Sequence, residues 1–164
     1  SLQELSKLPR MFKPSQPDDI LTLMGYDVEA LHGIFSFLKM RSVRTHAHEE
    51  EGGIPSMNIE VGPACSEWFA CELQYVSKVE ELAANQSSGV RGCRNPGIPV
   101  RISLLQIINI FFRFSQQPGD LVFTGPGTLH WVQGEGVGSN VAWNCGPLSF
   151  QVLKHCKWQY ERDR

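Results

Sequence analysis

Short alternating stretches, rather than long helical periods, carry most of the apolar residues of this chain. The cleanest is 56–61, where Met57, Ile59 and Val61 point one way and Ser56, Asn58 and Glu60 the other. A period of two is the mark of a strand, and Gly62-Pro63 ends it. Residues 34–40 are apolar and rich in Phe, and predict a buried strand with Lys39 at its end. Residues 45–50 alternate as well; if extended, they set His46, His48 and Glu50 on one face. After Pro118-Gly119-Asp120 come three further predicted strands, 121–124, 128–133 and 140–144, separated by glycine turns.

Helical signals are fewer. Ile20, Leu21, Leu23 and Met24 form one apolar face, with Ser15 or Asp18 as cap, Pro17 suited to the first turn and Gly25 as the stop. Ser77-Lys78-Val79-Glu80 has the capping-box pattern and predicts a short helix through Leu82 and Ala84. Residues 85–99, rich in Gly, Ser, Asn and Pro, predict a loop. Residues 151–164 suit either a strand tail or the start of a helix. Many short strands with Gly/Pro punctuation indicate a mainly β fold, a sandwich or jelly roll, with a few flanking helices.

Composition narrows the function. A chain of 164 residues with 41% hydrophobic content suits one domain around one core. The net charge of −2 gives no electrostatic reason to bind a nucleic-acid backbone. Residues 1–10 are polar and mixed in charge, unlike a secretory signal. The most apolar run, 102–112, is broken by Gln106 and Asn109 and is too short to span a bilayer. The five cysteines (Cys65, Cys71, Cys93, Cys145 and Cys156) are odd in number and hold no Cys-x-x-Cys pair. They predict neither a disulfide framework nor a structural zinc site, and fit reduced thiols in the nucleus or cytosol.

Candidate chemistry lies in two stretches, Arg44-Thr45-His46-Ala47-His48-Glu49-Glu50 and Gly127-Thr128-Leu129-His130-Trp131. His48 and Glu50, two residues apart on a strand, project the same way, and a jelly roll can bring a distant His130 opposite them. Two imidazoles and one carboxylate form the set that holds non-haem Fe(II) with coordination positions left open. Bland readings stand beside this one. Glu49, Glu50 and Glu51 are an acidic run of the kind that forms a solvated edge. His46-Ala47-His48 is also a His-x-His pair of the kind found in cupin metal sites. His130, next to Trp131, suits a core histidine too.

Longer text carries a family likeness. Glu4-Leu5-Ser6-Lys7-Leu8-Pro9, Ser56-Met57-Asn58-Ile59-Glu60-Val61-Gly62-Pro63 and Glu67-Trp68-Phe69 are part of it. So are Pro118-Gly119-Asp120-Leu121-Val122, Gly127-Thr128-Leu129-His130-Trp131-Val132-Gln133 and Asn140-Val141-Ala142-Trp143-Asn144-Cys145-Gly146-Pro147-Leu148. With these, the chain resembles the JmjC-domain Fe(II)/2-oxoglutarate oxygenases, and among them the UTX-type histone H3 lysine-27 demethylases. The resemblance implies a cupin-like double-stranded β-helix over residues 1–164. It implies His48, Glu50 and His130 as the Fe(II) ligands, with His46 a non-ligand. It further implies Lys39 on the distal carboxylate of 2-oxoglutarate, with Thr45, Ser56, Asn58 and Asn140 lining the cosubstrate. Read alone, Lys39 would be a snorkelling edge lysine and Asn140 a turn residue. The implied reaction consumes O2 and 2-oxoglutarate, yields succinate and CO2, and removes a methyl group from N-methyl-lysine as formaldehyde. The implied partners are a methylated histone H3 tail and, through regions outside this chain, chromatin complexes in the nucleus.

Two departures from the family pattern accompany the likeness. Residues 101–111 form an apolar insert between Val100 and Phe112, atypical of the family and of a kind that suits a translated intron. The zinc-binding module that follows the jelly roll in UTX-type enzymes has no matching cysteine pattern before Arg164. The same iron site would serve a JmjC protein hydroxylase, and the two departures fit a non-catalytic scaffold or fragment.

Overall fold

The computed structural model describes residues 5–14, 16–25, 27–79, 81 and 111–162. Cys93, the predicted loop, the end of the capping-box helix and the insert up to residue 110 lie outside them. Helices α1 (Ile20–Leu23) and α2 (Glu29–His32) precede strands β1 (Ile34–Lys39), β2 (Ser56–Pro63) and β3 (Ser66–Cys71). Strands β4 (Phe111–Gln116), β5 (Leu121–Thr124), β6 (Leu129–Gly134) and β7 (Gly138–Asn144) follow, then helix α3 (Phe150–Arg162). One sheet has the order β1-β7-β2-β5 and the other β4-β3-β6, with every pairing antiparallel. This is the mainly β jelly roll that the strand pattern predicts.

The predicted strand at 45–50 does not form as a continuous ladder. Residues 44–48 instead run along the free edge of β6 through two isolated bridges, Arg44 to Gln133 and His48 to His130. Between them the register slips by one residue, because the Thr45 hydroxyl takes the Val132 N–H at 2.8 Å in place of a backbone carbonyl. A side chain that substitutes for a ladder acceptor interrupts the strand locally.

Apolar packing lies largely outside the two sheets. Met57, Trp143 and Cys145 pack beneath Leu5, Leu8 and Phe12 of the N-terminal segment. Phe69, Cys71, Leu129 and Trp131 form a second cluster with Ala47, Val76 and Val79. The opposite faces of the same strands carry Ser56, Asn58, Glu60, Ser66, Trp68, His130 and Asn140, all buried. The alternation along β2 is therefore real, but its polar face points between the sheets.

Two expectations are corrected, and an open one is decided. Strand β1 is not buried: among the described residues it pairs only with β7, at a sheet edge, and Leu38 is 88% exposed. Helix α1 is capped by neither Ser15 nor Asp18 but by Asp19, whose carboxylate accepts from Leu21 N–H and Gly146 N–H, each at 2.8 Å. Asp19 thereby satisfies an orphan helix donor and ties α1 to the segment after β7, while Asp18 pairs with Arg10 at the surface. The C-terminal segment is a 13-residue helix, with Ser149 Oγ accepting from Val152 N–H at 3.3 Å. Among the described residues Cys65, Cys71, Cys145 and Cys156 are free thiols, and no helix is long and apolar enough to cross a membrane.

Candidate metal centre

His130 enters from β6 and is 3% exposed; the bridge at His48 carries the other imidazole to it, with ring centroids 4.4 Å apart. Glu50, two residues on, reaches His130 Nε2 at 3.5 Å through Oε1. One donor atom from each of His48, Glu50 and His130 lies within 4.8 Å of the others. Small side-chain adjustments bring such a set onto one ion, whose bonds to nitrogen and oxygen are about 2 Å long.

Hydrogen bonds orient all three groups. His48 Nδ1 lies 2.7 Å from the His46 carbonyl and His130 Nδ1 lies 3.1 Å from the Thr128 carbonyl. A carbonyl only accepts, so each Nδ1 carries the proton and each Nε2 presents a lone pair. This is how metal-binding imidazoles are set in tautomer and direction. Ser56 Oγ donates to Glu50 Oε1 at 2.5 Å. Burial, and secondarily the neighbouring His48, holds the His130 pKa below its ordinary value of 6.5, against an opposing pull from Glu50. The neutral, ligating form is the one favoured. The donor chemistry thus fits a divalent transition metal. His46 is exposed and contributes only its carbonyl.

A cavity of about 820 Å³ opens beside the triad, and Lys39, Thr45, Ser56, Asn58 and Asn140 all line it. Asn140 Nδ2 donates to Asn58 Oδ1 at 3.0 Å. Lys39 is buried and donates to Glu60 Oε2 and Ser66 Oγ, so it is not a snorkelling edge lysine. Asn140 lies within β7, not in a turn. The hydroxyl of Thr45 is engaged by Val132 N–H.

Several residues around the site have roles that residue type and spacing do not reveal. Gln116, 1% exposed, accepts from Trp68 Nε1 at 2.7 Å and donates to the Asn58 and Asp120 carbonyls at 3.0 and 3.1 Å. Trp68 in turn stacks on His130, with centroids 5.5 Å apart. Glu49 is not a solvated edge: its side chain is 6% exposed, with Arg162 Nη1 at 2.8 Å and His155 Nε2 at 3.6 Å. Gln159 Nε2 donates to the Glu50 carbonyl at 3.3 Å. Helix α3 therefore clamps the loop that carries two of the three candidate ligands. His155 fills the space over Gly53 and Gly127, where an added Cβ would lie 2.7 and 2.2 Å from its ring. Glycine is required at both positions.

A family model described as "JmjC domain, hydroxylase" matches residues 35–145. The chain is 34% identical over 160 residues to Lysine-specific demethylase 6B of Homo sapiens, an alignment covering 98% of this chain and 10% of that protein. It is 28% identical over 152 residues to Lysine-specific demethylase jmjd-3.1 of Caenorhabditis elegans, covering 93% of this chain and 14% of that one. The chain thus spans 10% to 14% of the length of these relatives.

Proposed function

The chain belongs to the JmjC-domain family, and on that premise we propose that it is the catalytic core of an Fe(II)- and 2-oxoglutarate-dependent demethylase of N-methyl-lysine on a histone H3 tail, lysine 27 foremost. The observation that carries the proposal is the convergence of His48, Glu50 and His130, whose imidazole nitrogens and carboxylate lie close enough to share one ion. These three would hold the iron. When bound, Fe(II) with open coordination positions supplies the oxidising chemistry for cosubstrate and O2 together.

The remaining roles fall to this chain's own groups. Lys39 meets the distal carboxylate of 2-oxoglutarate. Thr45, Ser56, Asn58 and Asn140 line the same cavity and supply polar contacts to the bound acid. Ser56 also fixes the Glu50 carboxylate. Trp68, stacked on His130, closes one wall and excludes water. Two relatives named as lysine-specific demethylases, aligned over nearly all of this chain, support the assignment of substrate class and a nuclear location.

The test is a histone H3 peptide trimethylated at lysine 27, incubated with the chain, Fe(II), 2-oxoglutarate and air. Loss of methyl mass matched by formaldehyde and succinate supports the proposal. A stable gain of one oxygen on a protein side chain, with no formaldehyde, would replace it with a hydroxylase. Absence of all three products would refute it.

A further inference from the structure

We infer that Glu60 competes with the cosubstrate for Lys39, and so sets how strongly the cavity distinguishes a 2-oxo dicarboxylate from a 2-oxo monocarboxylate. The inference rests on the cosubstrate reading given above. Lys39 on β1, Glu60 on β2 and Ser66 at the start of β3 meet between the sheets. Glu60 is 1% and Lys39 8% exposed. Lys39 donates to Glu60 Oε2 and to Ser66 Oγ, and Ser66 Oγ donates to the same Oε2 at 2.7 Å. The other carboxylate oxygen accepts from Gly62 N–H at 3.1 Å, at the bulge between Glu60 and Gly62.

The consequence is a matter of charge. Lys39 is a buried cation that lines the cavity, yet the fold already balances it. A buried ion pair with satisfied hydrogen bonds is stable because neither charge is left alone. An incoming distal carboxylate meets an ammonium already neutralised, and a second carboxylate bonded to the same nitrogen. Two carboxylates sharing one cation repel, and like charge set against a ligand weakens its binding selectively. A monocarboxylate of the same length pays none of this.

The experiment compares 2-oxoglutarate with 2-oxopentanoate, which has a methyl group where the distal carboxylate would be. Affinities for the Mn(II)-loaded full chain are measured by calorimetry, for the unsubstituted protein and Glu60→Gln. The glutamine keeps the size of the side chain and an oxygen for Gly62 N–H, while removing the charge. The unsubstituted chain should prefer 2-oxoglutarate by less than about tenfold, and Glu60→Gln should raise that preference about tenfold or more. A purely structural ion pair leaves the ratio unmoved. An unchanged ratio in folded Glu60→Gln, or a preference above about tenfold in the unsubstituted chain, overturns the role of Glu60 and leaves the cosubstrate reading standing. Failure of the Mn(II)-loaded chain to bind either acid, with or without the substitution, overturns both. If Glu60→Gln does not fold, the ratio in the unsubstituted chain decides alone.

Discussion

Gln116→Leu removes the one side-chain amide that, among the described residues, ties the sheet of β3 and β4 to the backbone of β2. Leucine nearly matches glutamine in volume, so the change is chemical rather than a cavity. Four contacts disappear: Trp68 Nε1–H to Oε1, and Nε2 to the carbonyls of Asn58 and Asp120 and, at 3.5 Å, to Asn58 Oδ1. Asp120 O keeps the Glu60 N–H at 3.1 Å, so its loss is partial. Trp68, 2% exposed, is left with a buried donor facing leucine. An unpaired buried donor costs about 1–3 kcal/mol and each lost neutral hydrogen bond about 0.5–1.5 kcal/mol. Leucine burial offsets part of that, leaving a destabilisation of about 2–4 kcal/mol. For a chain of this size that lowers Tm by about 5–15 °C. Urea unfolding should show a lower midpoint at unchanged m. A double-mutant cycle with Trp68→Phe should give a coupling of about 1 kcal/mol or more. Gln116→Leu within about 0.5 kcal/mol of the parent, or strict additivity with Trp68→Phe, would refute the reasoning.

Ser56→Ala deprives the Glu50 carboxylate of its 2.5 Å donor and should weaken Mn(II) affinity by about 10–100-fold, read by metal titration, with little change in unfolding midpoint. Burial pushes the Cys71 and Cys145 thiols up to about 12; a maleimide at pH 8 followed by peptide mapping should label Cys65 well before either. The folded-state pKa of His130 lies below 6.5, so as pH falls below 6.5 the unfolded chain takes up a proton that the folded chain does not. Metal-free protein should therefore lose stability between pH 6.5 and the folded-state pKa, and His130→Asn should lose less over that interval. Urea midpoints at pH 7.5 and 5.5 check this, and an equal loss in both proteins would count against it.

How much was legible in the chain depended on whether local pattern and tertiary role agreed. Strand β5 was readable from the turns that bracket it, and the alternation of β2 because a period of two is fixed by the backbone whatever lies on either side. His48, Glu50 and His130 stood out through residue type and spacing, and His48 was separable from His46 only through the longer family text. The direction of the β2 faces was not legible: the polar face lies between the sheets and the apolar one under the N-terminal segment. Helix α3 was ambiguous for a related reason, since its buried positions are Val152, His155 and Gln159, and two of the three are polar. A buried stripe of that composition leaves no hydrophobic signature. Glu49 was missed because its partners, His155 and Arg162, lie more than a hundred residues away. Strand β1 was misjudged because Phe and Leu predict burial, whereas a sheet edge beside a cavity exposes them.

Whether His48, Glu50 and His130 form one metal site is decided by anaerobic Fe(II) titration of the full chain. One equivalent of Fe(II) should bind. His130→Ala, which removes the most buried ligand, should lower the affinity by about a hundredfold or more while circular dichroism shows the β fold retained. Undiminished one-to-one binding by folded His130→Ala would place the metal elsewhere and rule this site out.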